Sequence, residues 1–361
     1  KDSVQLSTES INFNLFDVKT DPQIIKQKMP IEYGDYTFSA DSIFVDLGKF
    51  EKLNVANILV EDKNIDISGV QLISKYSKSE QSKIAKKQHD HVTLHIPEIE
   101  IDELDFGFLK NRFFVSTSRL KINSPNGEIY RDKLLPEDHT PKAFYSQRLR
   151  DLPIDIDIPE IAINNGNLTY EELVDPTNPP GKLSIENISG IISNVSNSNQ
   201  NNESTKVEVK ANLMGEALVN LKWDFKVQDT KDLFIASGAI SNFKSNSANS
   251  FLRPNLRAEA EGYIDQLYFT IEGNSRASRG DMKMKYQDFE FVILKKDALK
   301  INKTFTAIAN LFVNDGSKTD EDGYRYGQIE MERDQTKSFF NFLWISIRDG
   351  LIDAVAGNGK K

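Results

Sequence analysis

The sequence has no cysteine, and among its 361 residues only four histidines and two tryptophans. Without cysteine there is no disulfide, no zinc–thiolate centre and no thiol nucleophile. Positive charge is short as well, with a formal net charge of −9 and an isoelectric point near 5.2. Nucleic-acid affinity rests on neutralising phosphates with Lys and Arg, so no nucleic-acid partner is expected. Long apolar runs are also missing. The longest, Phe339-Phe-Asn-Phe-Leu-Trp-Ile-Ser-Ile347, falls well below the roughly 18 residues that a membrane helix needs. Neither a Gly-x-Ser-x-Gly elbow, a phosphate loop nor a His-Glu-x-x-His pair occurs, and no enzyme or cofactor is expected.

What the chain does have is apolar residues in alternation. Hydrophobic residues make up 39% of the sequence, mostly as singles two positions apart, the signature of strands with one wet face. In Ile154-Asp-Ile-Asp-Ile-Pro-Glu-Ile-Ala-Ile163 the apolar positions 154, 156 and 158 give way, after a one-residue phase step at Pro159-Glu160, to 161 and 163. An extra residue exchanges the faces of a strand, so a bend or bulge is predicted where proline is tolerated. The same pattern occurs at Val92, Leu94 and Ile96, with a step at Pro97-Glu98 and resumption at Ile99 and Ile101.

A repeat of about 60 residues is several strands per unit, which divides residues 1–203 into units of about 10–90, 91–152 and 153–203. An Asn- and Ser-rich loop over 194–204 separates these from a C-terminal region, 204–361. That region opens with a hairpin, Val207 to Leu213 and Val219 to Val227, and continues with strands around Leu267, Met282 and Phe289. Asp21-Pro22 predicts the start of a short helix, and Ser74–Gln88 reads as a solvated loop. Helical spacing appears at Ile301, Phe305, Ile308 and Phe312, and again from Phe340 to Val355 with Gly350 inside.

The expected fold is therefore mostly β: an elongated, curved antiparallel sheet of repeated kinked strands shaped as a groove, with two or so amphipathic helices near the C-terminus. A stacked β-sandwich is the alternative. Two helices cannot cover so much one-sided sheet, so its apolar face needs a second sheet, curling, or a foreign occupant.

His89, His91 and His95 share one strand face and could converge on a metal, yet no carboxylate at fixed spacing accompanies them, and a solvated face is the simpler reading. Asp102, Glu103, Asp105, Asp155 and Asp157 occupy polar slots of alternating strands, where carboxylates face water. Met282, Met284 and Tyr286 suit either a lipid-facing stripe or sheet core. The terminal helix suits a cap on the sheet more than a membrane interface, since Lys337 and Arg348 are its only positive charges before Lys360.

The segment Gly262-Tyr-Ile-Asp-Gln-Leu-Tyr-Phe269, then Gly273, then Ala277-Ser-Arg-Gly-Asp-Met-Lys-Met-Lys-Tyr-Gln-Asp-Phe289 resembles the C-terminal portion of AsmA-like bacterial envelope proteins. The Ile-Pro-Glu-Ile and Asn-Gly-Asn-Leu pieces within 158–170 are similar to repeats further upstream in that family. The resemblance implies a periplasmic protein of a diderm bacterium, related to TamB-like and bridge-type lipid transfer proteins, whose β groove takes part in intermembrane lipid transport or outer-membrane maintenance. It also implies tethering to the inner membrane by an N-terminal helix, which would lie ahead of Lys1. Phospholipid is the expected partner, and the expected lining is Val92, Leu94, Ile96, Ile154, Ile156, Ile158, Val219, Leu221, Trp223, Phe225, Leu267, Phe269 and Ile271. The competing expectation is a periplasmic β scaffold that binds no lipid.

Overall fold

The structure, a computed structural model, describes residues 5–109, 111–198, 203–294 and 319–356. Eighteen described strands join in one hydrogen-bonded sheet. In its first half these are β1 (Gln5–Ser7), β2 (Ser10–Phe16), β3 (Asp35–Asp46), β4 (Glu51–Glu61), β5 (Asn64–Ser74), β6 (His91–Asp102), β7 (Asp105–Leu109), β8 (Arg112–Ser116), β9 (Arg119–Asn123) and β10 (Asn126–Asp132). The second half comprises β11 (Asp155–Leu173), β12 (Gly181–Ser196), β13 (Thr205–Leu213), β14 (Ala217–Phe225), β15 (Phe234–Lys244), β16 (Ala258–Gly273), β17 (Ala277–Ile293) and β18 (Arg325–Glu332).

Most neighbours are antiparallel and consecutive. The exception lies at the centre: β8, β9 and β10 lie end to end along one side of β11 and run parallel to it. On their other side β9 and β10 pair antiparallel with β6. The sheet is thus mixed where a wholly antiparallel one was expected. Period-two patterning does not encode strand direction, so the sequence held no sign of this.

The ladder registers show why the alternation persists over so much chain. One row of mutually paired residues runs Phe13, Phe38, Val60, Ile65, Ile101, Leu120, Ile161, Ile192, Val207, Trp223, Ala236, Ile271, Gly280, Ile329, crossing the whole sheet without a polar side chain. A parallel row starts at Ile11 and Ala40 and passes through Ile58, Ile67, Ile99, Ile122 and Ile163 to Val209, Leu221, Phe269 and Met282. Between them, on the opposite face, stand Asn12, Asp66, Glu100, Lys121, Glu208, Lys222 and Asp281. Here Lys121 bridges to Glu100 at 2.7 Å and Lys222 to Glu208 at 2.9 Å. Such cross-strand pairs suit a face left in water.

The phase steps have a shared structural cause. Between the pairs Ala40–Ile58 and Ile43–Val55, strands β3 and β4 each hold two residues, Asp41-Ser42 and Ala56-Asn57. The same level holds Ser68-Gly69 in β5, Pro97-Glu98 in β6, Asn123-Ser124 at the end of β9, and Asn164-Asn165 in β11. Because each strand has one extra residue at a matching level, the ladder keeps its count.

In β3, β5, the β9–β10 link and β11 that extra residue takes left-handed backbone: φ is +50° at Ser42, +64° at Gly69, +49° at Ser124 and +53° at Asn165. Both members of a pair then turn outward. Asp41 and Ser42 are exposed, as are Pro97 and Glu98, while Val55, Val60 and Ile96 are buried on the other side. The bend therefore restores the facing. Its outer side is stitched by side chains, with Asn57 donating to Asp41 (2.6 Å), Asn123 to Glu98 (2.8 Å) and Asn164 to Asn123 (3.0 Å).

The two Ile-Pro-Glu-Ile segments lie at different levels and run in opposite directions. Pro97 stands opposite Gly69, whereas Pro159 stands opposite Asn194, whose φ is +59°. This is a second crease. Below it Ile158 pairs with the buried Val195, and above it Ile161 pairs with Ile192.

Four α-helices accompany the described sheet: α1 (Lys78–Ile84), α2 (Tyr145–Arg150), α3 (Asn249–Leu256) and α4 (Phe339–Ala356). The first lies in Ser74–Gln88, expected to be a loop. Its polarity all round hides it from periodicity, but Ser77 and Glu80 form a capping box, a readable start signal. Asp21 caps only a single 3-10 turn, Ile24–Lys26. The helix expected around Ile301 to Phe312 lies outside the described residues.

Helix α4 packs on the apolar face of β17 and β18. Gly327 and Gly350 allow backbone contact there, since a Cβ on Gly327 would fall 2.2 Å from the Gly350 carbonyl. Around it lies the main core: Trp223, Phe234, Ile271, Met282, Met284, Phe339 and Phe342, with Phe144 brought in by the crossover between β10 and β11. Met282 and Met284 are thus buried core.

The bend makes a direct test of the crease possible. Gly69→Val forces a β-branched residue into left-handed backbone with its Cβ 2.8 Å from that of Ala56. It should lower stability by about 2 kcal/mol or more, read as a shift in the urea midpoint, whereas Ser42→Gly should be neutral or slightly stabilising.

Candidate functional site

The apolar face is dressed differently in its two halves. From β14 to β18 it is covered: Trp223, Phe225, Leu267, Phe269 and Ile271 are all buried beneath α4 and the crossover. Trp223 stacks on Phe339 at 4.2 Å, and Phe144 lies edge-on to Phe234 and Phe339. From β5 to β12 the same rows are only half-buried, at Ile65, Ile67, Ile99, Ile101, Leu120, Ile122, Ile161, Ile163 and Ile192, whereas in β3 and β4 Ala40 and Val60 are buried. Among the described residues no second sheet faces them. Among the described residues the stacked sandwich therefore does not form, and the first half presents an open apolar wall.

The expected lining residues fall on both halves. Val92 pairs with Ile129 and Leu94 with Leu72 and Gly127, both half-buried on the open wall, whereas Ile96, paired with Val70, is buried. Ile156 sits beside Val115 and Ile158 beside Val195, with Ile154 half-buried just ahead of β11. Val219 and Leu221 are half-buried where the wall passes under cover. Trp223, Phe225, Leu267, Phe269 and Ile271 are packed against protein. The sequence pattern is the same on both halves, so it could not distinguish open from covered.

Two segments shape the wall's lower end and its inner side. The β7–β8 hairpin returns toward β3, bringing Phe106 to 5.8 Å from Tyr36 although β4, β5 and β6 intervene along the sheet. This marks how strongly the sheet curls. The crossover from β10 to β11, required because these strands are parallel, passes across the apolar side. It is held by Glu137 to Lys337 (2.8 Å), Ser146 to Asp232 (2.8 Å) and Arg150 to Asp232 (3.0 Å). An open depression of about 600 Å3 lies by the second crease, lined by Val115, Ile156, Pro159 and Asn194 among others.

The rim is polar, and its charges are paired: Lys75 with Asp46 (2.6 Å), Lys78 with Glu171 (2.5 Å), Arg131 with Asp90 (2.7 Å) and Arg257 with Asp175 (2.9 Å). The hydrogen bond to Asp90 raises the Arg131 guanidinium further above its ordinary range. Tyr170, half-buried and bonded to Glu172 at 2.6 Å, has its phenol pushed well up by that burial and then by the carboxylate. The histidines do not converge. His89 contacts Glu51 at 2.5 Å and His91 the Tyr76 carbonyl at 2.9 Å, and no group of metal-ligating residues gathers among the described residues. Asp102 pairs with Arg119 and Asp155 with Arg112.

These features define a single-layered, one-sided β-sheet with an open apolar wall and a capped end. Among known proteins no family model matches the chain, and no curated protein matches its sequence.

The rim also sets a pH test. Asp175 accepts from Thr177 and from Arg257, which hold its carboxyl at about 2. Its folded value lies below the unfolded one, so its contribution is present above about pH 3.9. It is lost as the pH falls through about 2. A carboxyl titration by NMR should show Asp175 still ionised at pH 3, and Arg257→Ala should move that titration upward.

Proposed function

We propose that the open wall from β5 to β12 binds phospholipid acyl chains, with headgroups at the polar rim, in a non-enzymatic protein of the bacterial envelope. The carrying observation is the pair of apolar rows that stay half-buried across five neighbouring strand positions, β5, β6, β9, β11 and β12, with no facing layer among the described residues. Monomeric proteins rarely leave so continuous an apolar surface uncovered. A chain laid on it gains about 0.8 kcal/mol per buried CH2, so a passive mechanism suffices and no catalytic group is called for. The resemblance of 262–289 to AsmA-like proteins supports a periplasmic setting and a part in intermembrane lipid transport or outer-membrane maintenance. It supports tethering to the inner membrane in the same way.

Native mass spectrometry of gently purified protein should find co-purifying phospholipid. Ile163→Asp, on the half-buried wall, should lose it while the far-ultraviolet circular dichroism is kept. By contrast, Leu267→Asp, in the covered half, should prevent folding, because an unpaired charge there is buried. Lipid-free wild-type protein, or an Ile163→Asp variant as unfolded as Leu267→Asp, would contradict the reading.

A further inference from the structure

The two ends of the sheet are finished in different ways. At the β18 end the outward backbone N–H groups are occupied: Gln328 donates to Asp353 (2.8 Å) and Glu330 to Asp349 (2.9 Å), two carboxylates one turn apart on α4. A helix that covers an edge and fills its donors prevents further pairing. At the other end β1 and β2 both pair with β3, and among the described residues no strand or helix covers their outer side. Exposed edges are normally guarded by charge, proline or a bulge. Ser10-Ile-Asn-Phe-Asn-Leu-Phe16 has none of these, and its register with β3 is unbroken.

Large exposed apolar side chains also gather here: Leu6 (65% exposed), Ile11 (59%), Phe13 (57%) and Phe16 (49%). Ile11 and Phe13 are the first members of the two apolar rows.

We propose that β2 pairs antiparallel with β2 of a second copy, joining two sheets edge to edge about a twofold axis. Three observations favour a second copy. The strand is self-complementary, since any antiparallel register that keeps the facing sets Ile11, Phe13 and Leu15 among their counterparts, and Ser10, Asn12 and Asn14 among theirs. No like charges meet across the axis, because the strand carries none. The alternative of head-to-tail stacking, β2 onto β18, is blocked by Asp349 and Asp353, so the assembly closes at two. The apolar rows then run on from one copy into the other.

Sedimentation velocity of the 361-residue chain over a range of concentrations tests this. Wild type should form a dimer. The double variant Asn12→Lys with Asn14→Lys, which points like charges at each other from the wet face, should weaken it at least tenfold. Asn12→Glu with Asn14→Glu should do the same, and mixing the two variants should restore dimers. Unchanged circular dichroism in each variant separates lost pairing from lost folding. A wild-type protein that stays monomeric overturns the proposal, as would be expected if the edge instead received a strand of a different protein. A dimer indifferent to both variants, or no recovery on mixing, overturns it equally.

Discussion

A β-strand that bends through an extra residue turns its greasy side into its wet side, and every other property of this sheet depends on how that is avoided. The extra residues are inserted at matching levels in neighbouring strands, so the ladder keeps register while each strand presents two consecutive residues outward. Left-handed backbone at Ser42, Gly69, Ser124 and Asn165 is the local cost. Gly69 and Asn165 are of types that bear it cheaply. The polar seam from Asp41 and Asn57 to Glu98, Asn123 and Asn164 offsets part of it with side-chain hydrogen bonds on the convex side. A crease built this way bends the sheet across many strands at once, and leaves one continuous apolar surface on its inside.

From that surface the division of labour along the molecule follows. Where α4 and Phe144 cover it, ordinary close-packed core forms, with Phe342, Met282, Met284 and Ile271 almost wholly removed from water. Where none of the described residues covers it, the same residue types remain half in contact with solvent. The free energy gained by burying apolar area at about 25 cal/mol per Å2 is therefore collected by the fold in one half and only partly collected in the other. The ends differ by the same logic: carboxylates and a helix finish one, and among the described residues an uncharged strand is left bare at the other.

The strand content, the phase steps at Pro97 and Pro159, the 207–227 hairpin and the terminal helix with its embedded Gly350 were all legible from residue spacing. Period two and period 3.6 are local, and each residue states its own phase. Strand partners are not local. That β8, β9 and β10 form one interrupted strand parallel to β11 depends on which rows meet, and Val, Leu and Ile are interchangeable in that choice. Helix α1 escaped a reading based on apolar spacing, yet Ser77 and Glu80 announce it. The lining residues were found as a pattern but not as a site, because Trp223 and Leu267 alternate just as Leu94 and Ile156 do. Only the placement of Phe339, Phe342 and Phe144 decides which stretch of wall is dry core.

The central claim is that the face carrying Ile67 and Ile122 is open to an acyl chain while the opposite face is wet. Photo-crosslinking residues placed singly at Ile67, Ile122, Asp66 and Lys121, in protein incubated with phospholipid vesicles and irradiated, test it most directly. The account predicts lipid adducts at 67 and 122 and none at 66 and 121. Adducts within the protein alone at 67 and 122, as a closed core would give, or equal labelling of both faces, would contradict it.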